Sequence, residues 1–350
     1  MRRISTCLVL LVVLALGGSE AMAQSRVSTT AAHFLTLGTG AQGTALGHAY
    51  TAIATGGDAL FWNPAGISRM GPGNKRGSLF FNHTDWLLDL NYNSVGLVVP
   101  VTASGAFGFQ IAQLDYGRMD VRTVALPEGT GETFGASDLV MGVSYSQPLT
   151  NAFYIGGTAK YVRQSIYDMS ANTFAFDIGF VLESDYLNGM KLAASIMNFG
   201  GKMQMDGVNS RVFVDIDPTS TGSNDALPAK LETREWDLPL SFKFGLAVPV
   251  INTNNVRLEL LSDAHQTNDN SLNADFGGQA KFMVGGIDLD LRAGYKDFGS
   301  KQLRENVQSH LTYGGGLSLG VAGLQLGVDY AFVPFEFLGD VQMFDLRIGF

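Results

Sequence analysis

Cysteine is almost missing from this chain. Its one copy, Cys7, sits inside an N-terminal apolar run. Disulfide scaffolds, thiolate metal sites and cysteine nucleophiles are excluded together. Charge is also scarce, at 16% of residues, where soluble domains carry about 25%. The formal net charge of −9 argues against nucleic acid, which selects basic patches. The five histidines, His33, His48, His83, His265 and His310, sit in no H-E-x-x-H or G-x-S-x-G context. No catalytic, cofactor-binding or metal-binding residue is assigned on this basis, and no enzyme is expected. Asp263, His265 and the Asp269 loop have donors for a cation, but solvated acids are the commoner case. Long apolar helical runs are lacking too. Leu90 to Leu114 is uncharged, but Gly96, Pro100, Gly105 and Gly108 break it into two strands and a turn.

What is present begins with an export signal. Arg2 and Arg3 precede an apolar core from Leu8 to Leu16, and Ala21-Met22-Ala23 offers a small-x-small cleavage site. The core is too short to span a bilayer. Cleavage after Ala23 is expected, dividing the chain into a signal peptide (1–23), an N-terminal segment (24–76) and a strand-rich body (77–350). In that body apolar and polar residues alternate with period two. From Ile287, one face holds Ile287, Leu289, Leu291, Ala293 and Tyr295, the other Asp288, Asp290, Arg292, Gly294 and Lys296. Trp236, Leu238, Leu240, Phe242, Phe244, Leu246 and Val248 form another apolar face. The pattern predicts strands at 77–84, 90–101, 105–115, 137–148, 152–164, 172–184, 189–198, 236–249, 255–264, 272–284, 286–297, 309–320, 322–333 and 341–350. That is an even fourteen. Connections after even strands are short, and most after odd strands are longer, the extremes being 116–136 and 199–235. Outer-membrane barrels have short periplasmic turns and long outer loops. The expected fold is therefore all-β: a transmembrane antiparallel β-barrel with both termini periplasmic and a short N-terminal plug containing a small helix.

The faces can be assigned physically. A closed sheet of fourteen strands is too wide for side chains alone to fill, so the apolar face belongs in lipid. A charge facing lipid at the midplane costs about 2–4 kcal/mol. Asp275, Lys281, Asp288, Asp290, Arg292, Lys296, Asp345 and Arg347 are therefore expected to face the lumen. Tyr161, Phe174, Trp236, Tyr295, Tyr330 and Phe332 fall near the predicted outer ends of strands. Tyr145, Phe153 and Phe350 fall near the inner ends, giving the two belts that bilayer interfaces favour. The chain ends in Phe350 on an apolar alternating strand, the expected signal to the barrel-assembly machinery. Outer-membrane lipid is the other expected partner.

Residues 24–76 do not alternate. Gly38-Thr39-Gly40-Ala41-Gln42-Gly43 matches G-x-G-x-x-G, with Asp58 twenty residues past the first glycine. A dinucleotide site also needs a parallel strand–helix–strand unit, and nothing downstream supplies one. Glycines packing a plug are the better reading. Asn63-Pro64-Ala65-Gly66 offers a helix start, with Asn63 as cap and Pro64 at the first position.

The stretch from Gly40 to Gly66, including Gly43, Gly47, Asp58, Trp62 and the Asn63-Pro64-Ala65-Gly66 element, resembles the N-terminal signature of the PorV/PorQ family. That family is grouped with the FadL-like (OMPP1/FadL/TodX-type) barrels. The resemblance implies a hatch within the lumen and a role as an accessory of type IX-like secretion or surface assembly. Loops 116–136 and 199–235 would then meet secreted proteins or secretion components. The FadL-like grouping implies the alternative, a channel for long-chain fatty acids or other hydrophobic small molecules. The secretion role is narrowly preferred on the signature. Many members have paired acids before the Asn-Pro-Ala element; here the residues are Gly56-Gly57-Asp58, which leaves any role of the missing acid unassigned.

Overall fold

The structure is a computed structural model, and it describes residues 29–69, 77–101, 105–217, 219, 226–299, 310–335 and 339–350. The expected signal peptide, 1–23, lies outside the described residues.

Fourteen antiparallel strands close into one barrel. In chain order they are β1 (Ser78–Trp86), β2 (Leu90–Pro100), β3 (Ala106–Asp120), β4 (Thr133–Pro148), β5 (Phe153–Ile166), β6 (Met169–Glu183) and β7 (Lys191–Gly200), then β8 (Ser241–Asn252), β9 (Val256–Thr267), β10 (Asn273–Val284), β11 (Ile287–Phe298), β12 (Leu311–Val321), β13 (Leu324–Phe335) and β14 (Gly339–Gly349). Each pairs with its sequence neighbour, and β1 pairs with β14 from Ser78–Gly349 to Asp85–Gln342. Closure leaves no free edge. It satisfies the backbone within the sheet, which a segment in hydrocarbon requires.

The two faces of the wall have opposite chemistry. On β11, Ile287, Leu289 and Leu291 are exposed while Asp290, Arg292 and Lys296 are buried. On β14, Phe344 and Leu346 are exposed while Asp345 is buried. The outside of the cylinder is thus apolar, the reverse of a water-soluble fold. Aromatic side chains pair across strands on this surface. Tyr161 meets Phe174 at 5.5 Å between centroids, Tyr313 meets Phe332 at 5.4 Å and Tyr330 meets Phe344 at 5.1 Å. Such cross-strand pairs are the stabilising unit of a sheet surface.

Strands β3 to β6 run 14 to 16 residues, against 9 to 12 for the others. They raise one side of the wall at the end carrying the loop between β7 and β8. That loop contains a hairpin of Arg211–Val214 with Leu227–Lys230 and a short pairing of Asp206–Gly207 with β6.

One expected strand start shifts. The strand predicted from 236 starts at Ser241. Trp236 instead forms an isolated bridge with Met203, and Leu238 is buried among interior residues with Phe34. Pro239 cannot donate to a ladder, and the backbone carbonyl of Asp237 accepts from Ala31 of the interior segment instead, at 2.9 Å. The mature N-terminus expected after Ala23 lies outside the described residues. Phe350 lies at the short-turn end, its N–H donating to Gly77 O at 2.9 Å. The first described residues stand at the other end, where Ala31 meets Asp237 and the Thr30 hydroxyl donates to Asp269 at 3.0 Å. The interior segment threads the lumen once, so its two ends face opposite openings.

Candidate functional site: the plugged lumen and its cavity

Residues 29–69 fill the barrel interior. Their bonds reach nearly all the way round the wall. Ala41 N–H donates to Asp345 at 2.6 Å (β14), and the Gln42 amide to Asp329 at 3.1 Å (β13). Gly47 N–H donates to Thr312 at 3.0 Å (β12), and the Tyr50 and Thr51 N–H groups to Asp263 at 3.2 and 3.0 Å (β9). Asn63 Nδ2 donates to Phe180 O at 3.1 Å (β6), and the Ser146 hydroxyl (β4) donates to Ala65 O at 3.1 Å. The short helical turns of this segment cannot satisfy their own end groups, so wall carboxylates and hydroxyls do it.

Close approach explains the small residues. Gly47 has φ +64, and a Cβ there would lie 2.6 Å from Tyr295 N; a Cβ on Gly294 would strike Gly47 N. The plug and β11 thus touch backbone to backbone. Gly40, with φ +90, precedes the turn Ala41–Ala45. Gly43 lies under the Trp62 ring and Gly66 against Ala54 O. Trp62 Nε1 donates to Thr39 O at 2.7 Å, holding the indole across the plug. Asn63 caps the 3-10 turn Pro64–Ser68 by accepting from Ala65 N–H at 3.1 Å, while its Nδ2 also donates to Thr51 O at 3.1 Å. Gly156 and Gly179 make room for this Asn-Pro corner, since a Cβ on either would overlap Pro64 or Asn63. Asp58 is buried and accepts from Tyr50 OH at 3.3 Å; burial pushes its carboxyl up to about 6.

The eight charges picked out by alternation divide into two groups. Near the plug turn Ala41–Ala45, Arg292 and Arg347 both reach Asp329 at 2.7 Å, and Asp345 takes the Ala41 N–H and the Asn82 amide. Arg292 also contacts Asp290 at 3.3 Å, and Lys281 lies 3.6 Å from both Asp288 and Asp290. Asp275 and Lys296 stand apart, toward the long-loop end. Asp329 and Asp263 organise the plug contacts; Asp329 was not singled out from sequence, and Asp263 only as a cation donor and not as a plug contact. Each lies on the inward phase of its strand, flanked by residues of the opposite phase, and that signal would have found them.

Above the plug lies a cavity of about 410 Å³. Its apolar lining includes Leu37, Phe61, Trp86, Met197, Val333 and Phe335; its polar lining includes His48, Lys243, His265, Asp275, Lys296 and Asp297. Strand ends at the long-loop side, residues 33–48 of the plug and the plug's Phe61 and Trp62 together form it. The Lys243 ammonium sits 4.7 Å above the Trp62 ring and Lys296 5.4 Å from Phe335. Cations on ring faces gain about 1–2 kcal/mol where water is excluded. Burial and the two lysines hold His48 well below the usual histidine range. Asp263 and Asp269, read from sequence as cation donors with His265, are used by the plug: Asp263 by Tyr50 and Thr51, Asp269 by Thr30.

No family model matches the chain, and no curated protein matches it. The resemblance to the PorV/PorQ family therefore rests on residues 40–66 alone. Solved structures do match. The toluene transporter TbuX of Ralstonia pickettii aligns with TM-score 0.54 and 11% identity, covering 89% of this chain and 97% of the transporter. The monoaromatic hydrocarbon channel CymD gives 0.54 and 12%, covering 89% and 96%. A FadL homologue of Pseudomonas aeruginosa gives 0.55 and 11%, covering 89% and 98%. The fold is that of the FadL and TodX barrels. The likeness extends over nearly the whole length of each of these proteins.

Proposed function

We propose that this protein is an outer-membrane channel for small hydrophobic molecules, with residues 29–69 as its hatch. The observation that carries the reading is the cavity between plug and long loops. Ligand sites typically occupy about 300–1,000 Å³, with mostly apolar walls and a few placed polar groups, and this cavity has that size and a half-apolar lining. The FadL-like fold supports the same choice. On the cavity and the transporters and channels among the fold's neighbours, we prefer this reading to the secretion-accessory role expected on the signature of residues 40–66. The orientation that fits is long loops outward and Phe350 toward the periplasm, where the assembly machinery would take the C-terminal strand.

Uptake of a radiolabelled long-chain fatty acid and of toluene should be measured in a deletion strain carrying the wild-type chain or Met197→Trp. Met197 lines the cavity, and an indole there fills part of it. The wild-type chain restores uptake of at least one compound, and Met197→Trp lowers it severalfold while the barrel still shows a heat-dependent gel shift. Unchanged uptake of both, together with secretion components captured by envelope cross-linking, would reinstate the secretion role.

A further inference from the structure

Two places in the wall carry the same irregularity, filled in different ways. On β6–β7 the register shifts between Phe176 and Ile178. Asn198 takes a left-handed φ of 64°, and its N–H donates to Asp177 Oδ1 at 2.8 Å. Lys160 completes that arrangement, its ammonium 2.8 Å from Asp177 Oδ1 and bonded to Asn198 Oδ1. On β10–β11 the register shifts between Ala274 and Phe276. Here Asp297 takes φ 58°, and its N–H donates to Asp275 Oδ1 at 2.8 Å. No lysine fills this copy. His265 from β9 stands there instead, Nδ1 at 2.9 Å from Asp275 Oδ2 and Nε2 at 3.4 Å from Asp297 Oδ1.

Strict alternation would point Asp297, next to the inward Lys296, toward lipid. The bulge turns it inward, as bulges beside functional sites re-aim side chains. A left-handed aspartate costs about 1 kcal/mol or more. What that strain gathers is one imidazole and two carboxylates whose ligand atoms lie within 4.8 Å of one another, all lining the cavity.

Three further features suit a cation. His265 Nδ1 makes no hydrogen bond to the carboxylate oxygen 2.9 Å away. Two donor atoms at that distance, not aligned with each other, match an edge of a coordination shell, since bonds of about 2.1 Å at right angles span about 3.0 Å. Asn273 lies directly opposite His265 in the ladder and two residues before Asp275, so all three share the inward face. It is 2% exposed, and neither its amide oxygen nor its nitrogen has a hydrogen-bond partner among the described residues. An unsatisfied buried amide costs about 1–3 kcal/mol, and an amide oxygen is a good ligand for a hard cation. Finally, Asp263, Asp269, Asp275 and Asp297 surround this end of the lumen, against Lys243 and Lys296. Carboxylates outnumber ammonium groups there, a balance that favours a cation.

We propose that His265, Asp275 and Asp297, with the Asn273 amide oxygen, form a divalent transition-metal site on the cavity wall, its open positions facing the cavity. Mixed imidazole and carboxylate donors favour ions such as Zn²⁺ or Mn²⁺ over Ca²⁺ or Mg²⁺. The assignment stands apart from the transport role. Detergent-purified full-length protein, stripped with chelator, should be titrated calorimetrically with Zn²⁺ and with Mn²⁺. One equivalent of at least one ion binds. His265→Gln and Asp297→Asn each weaken that binding at least tenfold, while His83→Ala, which removes the exposed His83–Asp85 pair, leaves it unchanged. Anomalous scattering from wild-type crystals grown with the ion, which needs no variant, places it between His265 and Asp297. The proposal is overturned by absence of saturable binding of either ion, by anomalous density only at surface histidines, or by binding that survives His265→Gln and disappears with His83→Ala.

Discussion

Single residues bind the plug to the wall, and Asn63 is the clearest case. Its side chain donates to Thr51 O and Phe180 O and accepts from Ala65 N–H with no exposure to solvent. Asn63→Ala leaves two buried carbonyls and one N–H without these partners, each worth about 1–3 kcal/mol. The plug should then become cleavable by a protease added to detergent-solubilised protein, while the barrel keeps its gel shift. Asp58 gives the plug a pH dependence. Burial raises its carboxyl from 3.8 to about 6 in the folded state. The docked plug therefore binds this proton more tightly than the released one. The resulting stabilisation is complete below pH 4 and is lost as pH rises through 6; two pKa units bound it at about 3 kcal/mol. Protease protection of the plug should fall between pH 4 and 7, and Asp58→Asn should flatten that step. Asp58 was legible in sequence as part of a signature. Asp297 was not, because its inward position comes from a bulge, and a bulge breaks the period by which inward residues are recognised.

At the scale of elements, the strands were readable because a bilayer outside and water or a plug inside impose period two on every one of them. That same rule failed at Trp236 and Leu238. Their spacing matches Phe242 and Phe244, but Pro239 interrupts the ladder and the interior segment supplies Leu238 with another apolar neighbour. The plug was readable only as something that does not alternate; its path from the long-loop end to the short-turn end depends on contacts around the wall that no local pattern records. The contact of the plug turn with β11 tests this. Gly294 and Gly47 meet without room for a Cβ, so Gly294→Val should expel the plug turn while β11 keeps its pairing with β10 and β12. The expected signature is a heat-modifiable barrel with a protease-sensitive N-terminus; a protected plug would mean that the wall yields instead. Closure of the barrel rests on β14, whose partner β1 is formed some 260 residues earlier, and removal of Phe350 should lower the amount of assembled protein in the outer membrane while leaving the detergent-refolded barrel intact. Equal losses in both would assign Phe350 to stability and not to recognition by the assembly machinery.

For the whole molecule, the question is what keeps a cylinder this wide closed to water. Fourteen strands enclose more space than their own side chains fill, and the interior here is completed by the plug, packed through Leu46, Leu60, Trp62 and Ile67. The wall behind it is not apolar. Asp263, Asp329 and Asp345 are buried with plug N–H and amide groups bonded to them. Deleting residues 29–69 exchanges those bonds for water, which solvates carboxylates at little cost, whereas the outer apolar face and the closed ladder are untouched. The barrel should therefore survive the deletion, unlike a protein whose core is removed. In planar bilayers the deleted form should conduct ions as an open pore, and the full chain should show no steady conductance. If the deletion instead abolished the heat-dependent gel shift, the plug would be part of the barrel's stability, and a hatch able to move aside for a passing molecule would be ruled out with it.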